Sequence, residues 1–277
     1  MKMKGIVLTI AAVLLVAAIP MVVADEIPPV DQNDPINVWV APWESEGADY
    51  CSKITQSVSE PSEDRSGNIL HCTFDQSRGR YALNVDEVVQ IGGASAENDL
   101  GNQIIGSVYQ TGGSSTLNIG GSVQIGLINM VIGSNKQDGE KSETCLNIDT
   151  LNQFGDKNCI YGSLNQKKGT TKVHIKDAEQ QGTYNFAIGS QGQRGGVTYL
   201  TIDSLSQEGY PGMNEGNYIL GSTGQQGGVT YLKLGQWSQT EPENVHVDQM
   251  HHQGGVTIVD WGQGTTIYAG DMTINVS

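Results

Sequence analysis

The residues best suited to bind a metal ion lie close together near the end of the chain: His246, Asp248, His251 and His252. Imidazole and carboxylate groups are common ligands of transition metals, and alternation along a strand would place His246 and Asp248 on one face. A single short cluster, with no further residues to orient the ligands, is weak support for a metal site. We interpret these residues as exposed positions of an irregular repeat and retain them only as a weak metal candidate.

The residues best suited to covalent cross-linking are the cysteines Cys51, Cys72, Cys145 and Cys159. In an exported chain, four cysteines are typical of two disulfides, and they allow three pairings. Proximity in the sequence favours Cys51 with Cys72 and Cys145 with Cys159. Bridges between subunits are an alternative, and a zinc site is a weaker one because the spacings match no standard zinc motif.

Motifs that would indicate catalysis are absent from the sequence. The chain has no nucleophile-elbow pattern, no phosphate-binding glycine loop followed by a helix, and no zinc-protease histidine motif. We predict a protein that is not an enzyme, has no catalytic residues and needs no cofactor. The alternative is a secreted β-helical polysaccharide-active enzyme or an adhesin, although two strands per repeat and short turns leave little room for a substrate groove.

The first 24 residues have the pattern of a cleavable export signal. Lys2 and Lys4 precede an apolar run, and the segment ends in Val22-Val23-Ala24. An uncleaved membrane anchor is the alternative, because the apolar run is almost as long as the roughly 20 residues that span a bilayer. We predict a signal peptide at 1–24 and an extracellular, cell-surface location.

The chain is acidic, with a formal net charge of −15. Nucleic acids and anionic membranes both require a basic binding surface, so the charge argues against either as a partner. With 36 glycines and only 6% aromatic residues, a core of large side chains would be underfilled. The shape must therefore come from a principle other than the packing of large side chains.

That principle is a repeat. A unit beginning with asparagine recurs at 68, 102, 129, 158, 185, 217 and 244, at intervals of 34, 27, 29, 27, 32 and 27 residues. Alternating apolar residues separated by glycine-rich turns predict strand, turn, strand, turn in each unit. The sequence therefore predicts an all-β, two-sheet β-solenoid of stacked β-arches with about seven repeats at 68–264. A Pro-rich acidic head at 25–67, with one strand at 36–40, precedes it, and a C-terminal strand at 265–277 follows.

Four columns of like residues run through the predicted repeats. One glutamine column comprises Gln76, Gln110, Gln137, Gln166, Gln193 and Gln225, and the other comprises Gln90, Gln124, Gln153, Gln180, Gln207 and Gln239. The aliphatic columns are Leu83, Leu117, Leu146, Val173, Leu200 and Leu232, and Val85, Ile119, Ile148, Ile175, Ile202 and Leu234. If successive units stack in register, each column becomes a ladder with a spacing of about 4.8 Å.

The two kinds of ladder would contribute differently. A glutamine amide both donates and accepts, and each hydrogen bond contributes on the order of 1 kcal/mol, whereas each buried aliphatic side chain contributes roughly 1.5–3 kcal/mol. Solvated strand ends are the simpler alternative for the glutamines. A stack without strong caps leaves unpaired backbone groups at both ends, which favours addition of further copies of the chain. We predict a homopolymer, with cysteine cross-links between subunits as a further possibility.

Two resemblances support this interpretation. Ser107, Gln110, Gly112 and Gln124, like Ser190, Gln193, Gly195 and Gln207, resemble the recurring residues of curli-type functional amyloids over 68–264. The combination of export signal, acidic two-strand repeats and few cysteines is more similar to the sheath proteins of filamentous methanogenic archaea. That resemblance implies rings of β-arches, stacked into a tube around the cell. The longer unit, the cysteines and the aliphatic interior depart from the curli pattern, so a dedicated nucleating partner is not implied.

Overall fold

The computed structural model describes residues 25–34, 36–40, 46–58, 67–92, 101–209, 216–240, 244–250, 254–262, 265–269 and 272–276. Within these ranges every regular element is a β-strand. None of the described residues belongs to a helix that is long and apolar enough to cross a membrane. The predicted signal peptide lies outside the described residues.

Twenty strands, numbered in chain order, form two sheets. Sheet A contains β1 (Asp25–Ile27), β2 (Val30–Gln32), β4 (Glu46–Ser57), β6 (Arg80–Ile91), β8 (Ser114–Ile125), β10 (Glu143–Phe154), β12 (Thr170–Gly182), β14 (Val197–Gly209), β16 (Val229–Thr240), β18 (Val256–Asp260), β19 (Thr265–Ala269) and β20 (Met272–Val276). Sheet B contains β3 (Ile36–Val40), β5 (Gly67–Phe74), β7 (Gly101–Val108), β9 (Ile128–Asn135), β11 (Lys157–Leu164), β13 (Tyr184–Gln191), β15 (Asn217–Thr223) and β17 (Asn244–Met250).

The chain alternates between the sheets, so each coil contributes one strand to sheet A and one to sheet B. Neighbouring strands from β4 to β18 in sheet A, and from β3 to β17 in sheet B, are parallel. Their register is the predicted one, because Leu117 pairs with Leu83 on one side and with Leu146 on the other. The predicted all-β, two-sheet solenoid is confirmed.

The hydrophobic core lies between the two sheets. It contains both predicted aliphatic columns, and Leu117, Leu146, Ile175 and Leu200 are completely buried. Sheet B contributes a third apolar column: Leu70, Ile104, Val131, Ile160, Ala187 and Ile219. Because every side chain packs against its equivalents in the coils above and below, the same few residue types satisfy every layer.

A column of glycines allows the strands of sheet B to approach the neighbouring coil closely. Gly106, Gly133, Gly162 and Gly189 occupy the same position in successive coils. A Cβ atom on Gly133 would lie 2.3 Å from the carbonyl oxygen of Gly162 and 2.3 Å from a methyl group of Val173. Any larger residue would therefore push both the next coil and the opposite sheet away.

The solenoid begins earlier in the chain than the sequence analysis placed it. β4 is a full-length strand that pairs with β6 in the register of the later coils, and β1, β2 and β3 form a short first layer. Much of the predicted head therefore belongs to the stack. At the other end, two antiparallel strands, β19 and β20, replace the single predicted C-terminal strand.

The four cysteines are free thiols, so the predicted pairs, Cys51 with Cys72 and Cys145 with Cys159, are not formed in this structure. Cys51 and Cys72 are both buried but belong to different sheets and different core columns. Cys145 and Cys159 lie on the outer faces of opposite sheets, on either side of a core about 10 Å thick, whereas a disulfide requires Cα atoms within about 7 Å. Burial raises the pKa of Cys72 to about 12 and that of Cys159 to about 11, which favours unreactive thiols.

Candidate assembly site: amide ladders and sheet ends

The first predicted glutamine column forms a hydrogen-bonded ladder in the interior. Each glutamine donates from Nε2 to Oε1 of the glutamine in the preceding coil. The distances are 2.9 Å for Gln110 to Gln76, 2.9 Å for Gln137 to Gln110, 2.9 Å for Gln166 to Gln137, 3.5 Å for Gln193 to Gln166 and 3.1 Å for Gln225 to Gln193. These glutamines lie in the turns that lead from sheet B into sheet A, so the ladder runs along those turns.

The second glutamine column forms a longer ladder near the opposite turn. The distances are 2.8 Å for Gln124 to Gln90, 2.8 Å for Gln153 to Gln124, 2.8 Å for Gln180 to Gln153, 2.7 Å for Gln207 to Gln180 and 2.6 Å for Gln239 to Gln207. It extends to two residues that sequence reasoning missed, since Gln90 donates to Gln56 at 2.8 Å and Gln56 to Gln32 at 2.7 Å. The interval from Gln56 to Gln90 equals that from Asn68 to Asn102, which is the signal that would have found Gln56.

A third ladder consists of Asn37 and the asparagines that begin the repeats from Asn68 to Asn217, to which the sequence analysis assigned no role. These side chains are almost completely buried. The distances from Nδ2 to Oδ1 of the next coil are 2.8 Å for Asn37 to Asn68, 2.8 Å for Asn68 to Asn102, 2.8 Å for Asn102 to Asn129, 2.9 Å for Asn129 to Asn158, 2.8 Å for Asn158 to Asn185 and 2.8 Å for Asn185 to Asn217.

The asparagine and glutamine ladders have opposite polarity. Backbone carbonyls fix the amide orientations, because Gln124 Nε2 also donates to the Met130 carbonyl at 3.2 Å and Asn102 Nδ2 to the Ile125 carbonyl at 2.9 Å. Glutamines donate toward the N-terminal end of the stack and asparagines toward the C-terminal end. The amide groups of the two kinds of ladder therefore point in opposite directions along the stack.

Serine and threonine hydroxyls connect the first glutamine ladder to both sheets. In one coil, Ser107 and Thr144 hydroxyls are 2.6 Å apart, and Thr144 donates to Gln110 Oε1 at 2.7 Å. The same Ser–Thr contact recurs four times: Ser134–Thr171 at 2.5 Å, Ser163–Thr198 at 2.7 Å, Ser190–Thr230 at 2.6 Å and Ser222–Thr257 at 2.7 Å. These contacts join each coil to the next through side chains as well as backbone.

The N-terminal end of the stack is closed by its own residues. Asn37 Nδ2 donates to the Asp34 carbonyl at 2.9 Å, while the Asp34 amide donates to Asn37 Oδ1 at 2.9 Å. Pro28 and Pro29, which separate β1 from β2, have no amide hydrogen to offer a further strand. Trp39 packs against the hydrophobic core. This edge is therefore blunted, as natural sheet edges often are.

The C-terminal end differs between the two sheets. Among the described residues, sheet B ends at β17, while sheet A continues past β18 with the antiparallel strands β19 and β20. His246 and Asp248 lie two residues apart in β17, and His251 and His252 lie outside the described residues. The residues that the structure describes contain no group of three potential metal ligands.

No protein-family model, curated protein or solved structure matches this chain.

Proposed function

We propose that the chain is a structural subunit that assembles through stacked β-arches into an extracellular amyloid-like sheath or fibre. The observation that carries the proposal is the parallel, in-register stack in which every coil repeats the ladders of the coil before it. Such a template does not distinguish a coil of the same chain from a coil of another copy, because the end coil presents the same columns to either. An N-terminal export signal and an acidic charge suit secretion as a soluble monomer.

The ends of the stack suggest how copies join. A new copy that contacts both sheets must continue sheet A and sheet B at the same level. The strands β19 and β20 prevent this, because they extend sheet A by two strands that have no described counterpart in sheet B. We infer that these strands leave the edge of β18 before the next copy adds. They would then act as a removable cap that delays assembly until a second molecule is present.

Cross-linking between subunits has one suitable residue among the four cysteines. Cys145 is only half-buried, whereas Cys51, Cys72 and Cys159 are buried. Its position on the outer face of sheet A would allow disulfides between neighbouring stacks, and we propose it as the residue that forms them.

The test is assembly of the chain beginning at Asp25, compared with the same chain ending at Gly262. We expect both to form dye-binding material with reflections near about 4.7 and 10 Å. The shorter chain should do so with a shorter lag. Gln226→Ala, at an exposed turn position, is the control for the effect of mutation itself. A stable monomer in both cases, above all one that cleaves a polysaccharide, would overturn the proposal; an unchanged lag would overturn only the role of β19 and β20.

A further inference from the structure

A groove of about 440 Å³ runs along the turns that lead from sheet B into sheet A. Its lining includes Tyr109, Lys136, Lys167 and Arg194, together with the carboxylates of Asp75 and Asp138. These residues come from five successive coils, so the groove follows the long axis of the solenoid. It is a surface feature that the amide ladders and the hydrophobic core do not require.

Along the groove, one turn position has the same backbone conformation in six successive described coils, while its side chain varies. This position is left-handed, with φ of 56° at Asp75, 55° at Tyr109, 58° at Lys136, 52° at Asn165, 65° at Gly192 and 64° at Gly224. The last two are glycines, so no side chain fills the space beside Lys167 and Arg194. Four non-glycine residues in this conformation are uncommon, and the strain is tolerated because the stack fixes the turn.

Tyr109 provides the groove with an aromatic platform, and a cation is held against it. The ring of Tyr109 packs edge-on against Phe74, with 5.6 Å between centroids, and 42% of its surface is exposed. Lys136 Nζ lies 4.4 Å from the centroid of Tyr109 and donates to its hydroxyl at 2.7 Å. Phe74 and Lys136 therefore hold the ring in place, and the exposed part of the ring is the part that a ligand can contact.

The part of the groove formed by the later coils carries positive charge that the chain neutralises only in part. Lys167 forms an ion pair with Asp138 at 3.0 Å, but Arg194 makes no ion pair with any residue that the structure describes. The adjoining turns add Arg78, Lys141 and Lys168, of which Lys168 pairs with Glu140 at 3.3 Å. Cations still outnumber the carboxylates of Asp75, Asp138 and Glu140 along this edge of a chain whose net charge is −15. An arginine left without a carboxylate in such an acidic protein is suited to a carboxylate from outside.

We propose that the groove binds an acidic polysaccharide, with Tyr109 stacking on a sugar ring and Lys136 and Arg194 binding its carboxylates. Sugar rings present a flat apolar face to an aromatic side chain, and successive coils place polar groups about 4.8 Å apart, close to the advance of one sugar along a chain. Single-stranded DNA is the competing ligand, and the experiment below compares it directly with the polysaccharide. This inference does not depend on assembly, since it concerns the surface of a single stack.

The experiment uses the chain beginning at Asp25 and a purified hexamer of galacturonic acid as the probe, with its fully methyl-esterified form as the neutral comparison. Isothermal titration calorimetry should detect the acidic hexamer only, with affinity that falls as salt is raised. Tyr109→Ala and Arg194→Ala should each weaken binding at least tenfold. Tyr199→Ala is the matched control, because Tyr199 is a similarly exposed tyrosine that stacks on Tyr231 on the outer face of sheet A.

Circular dichroism of each variant shows whether the stack is intact, so that lost binding is not mistaken for lost folding. Equal affinity for the neutral hexamer, no binding at millimolar concentration, or an equal loss in Tyr199→Ala would overturn the proposal. Tighter binding of single-stranded DNA than of the acidic hexamer would also overturn it.

Discussion

The interior columns and the turn groove have equally regular backbones but opposite side-chain behaviour. Inside, the same residue type recurs from coil to coil, as in the ladder from Gln32 to Gln239. At the left-handed turn position, φ stays between 52° and 65° while the residues are Asp, Tyr, Lys, Asn, Gly and Gly. Repetition is therefore required where coils must pack on each other, and variation is allowed where they meet solvent. The predictions below test where that boundary lies.

The largest effect should come from an aliphatic column. Leu146→Ala removes a completely buried side chain that packs between Leu117 and Val173. Because the neighbouring coils cannot collapse into the space without breaking register, we expect a loss of about 3 kcal/mol in the free energy of unfolding, measured by urea titration. Ile125→Ala, at an exposed position of sheet A, should cost less than about 0.5 kcal/mol. Equal losses would remove the distinction between interior and surface.

The next effect should come from His71, which lies on the outer face of sheet B but is mostly buried. Burial lowers the pKa of His71 to about 4, so the folded protein keeps it neutral while the unfolded chain takes up a proton near pH 6.5. Stability should therefore fall as pH drops from about 6.5 toward 4, by about 2 kcal/mol between pH 7 and pH 5. His71→Phe should remove this part of the pH dependence.

His174→Phe is the control for the histidine prediction, because His174 is partly exposed and its Nε2 lies 2.9 Å from Asp203. Urea titrations at pH 7 and pH 5 measure the difference for each variant. If wild type and His71→Phe lose the same free energy of unfolding between pH 7 and pH 5, burial of His71 does not affect stability. Outer-face residues of sheet B would then behave as surface residues.

A smaller effect should come from the glutamine ladder, where Gln225 and Gln226 form an adjacent buried and exposed pair. Gln225→Ala removes the acceptor of Thr257, at 2.5 Å, and the donor to Gln193, at 3.1 Å. We expect a cost of about 1–3 kcal/mol, since buried partners are left unsatisfied. Gln226→Ala should change stability by less than about 0.5 kcal/mol. A cost for Gln225→Ala no greater than for its neighbour would mean that the ladder does not stabilise the fold.

The smallest effect should come from the ion pairs on the outer face of sheet A. Lys176 Nζ lies 2.6 Å from Asp149, but both side chains are more than half exposed. Lys176→Gln should therefore produce the smallest shift in the urea midpoint at low salt, and adding 0.5 M NaCl should abolish even that shift. A cost comparable with that of Leu146→Ala would show that the surface contributes to stability as much as the interior.

Sequence reasoning recovered the repeated part of this molecule and failed where repetition ends. The columns of Leu117, Ile119 and Gln124 predicted both sheets and their register, because the same residue types recur at these positions in successive coils. Gln32 and Gln56 were missed since prolines and acidic residues interrupt the pattern around them. The segment of β19 and β20 was predicted as one strand, and its division into an antiparallel pair was missed because that pairing breaks the repeat. The left-handed backbone conformation at Tyr109 could not be predicted from the sequence either. The residue type varies at this position, and backbone contacts between stacked coils determine φ.

The disulfide prediction failed for a related reason. Proximity in the sequence is a poor guide in a solenoid, because the chain crosses from one sheet to the other within each coil. Cys145 and Cys159 are 14 residues apart but lie on opposite outer faces. In this fold, residues about one coil apart, such as Gln110 and Gln137, are the true neighbours.

The spacing of 27 residues from Asn158 to Asn185 makes the number of coils a quantity that can change without breaking the interior columns. Removing 158–184 would bring Asn129, Gln137 and Leu146 against Asn185, Gln193 and Leu200, so that asparagine again meets asparagine, glutamine meets glutamine, and Leu146 meets a leucine in place of Val173. Gene duplication or loss of one such unit would lengthen or shorten the molecule in steps of about 4.8 Å. A protein with this interior can evolve in length as readily as others evolve in sequence.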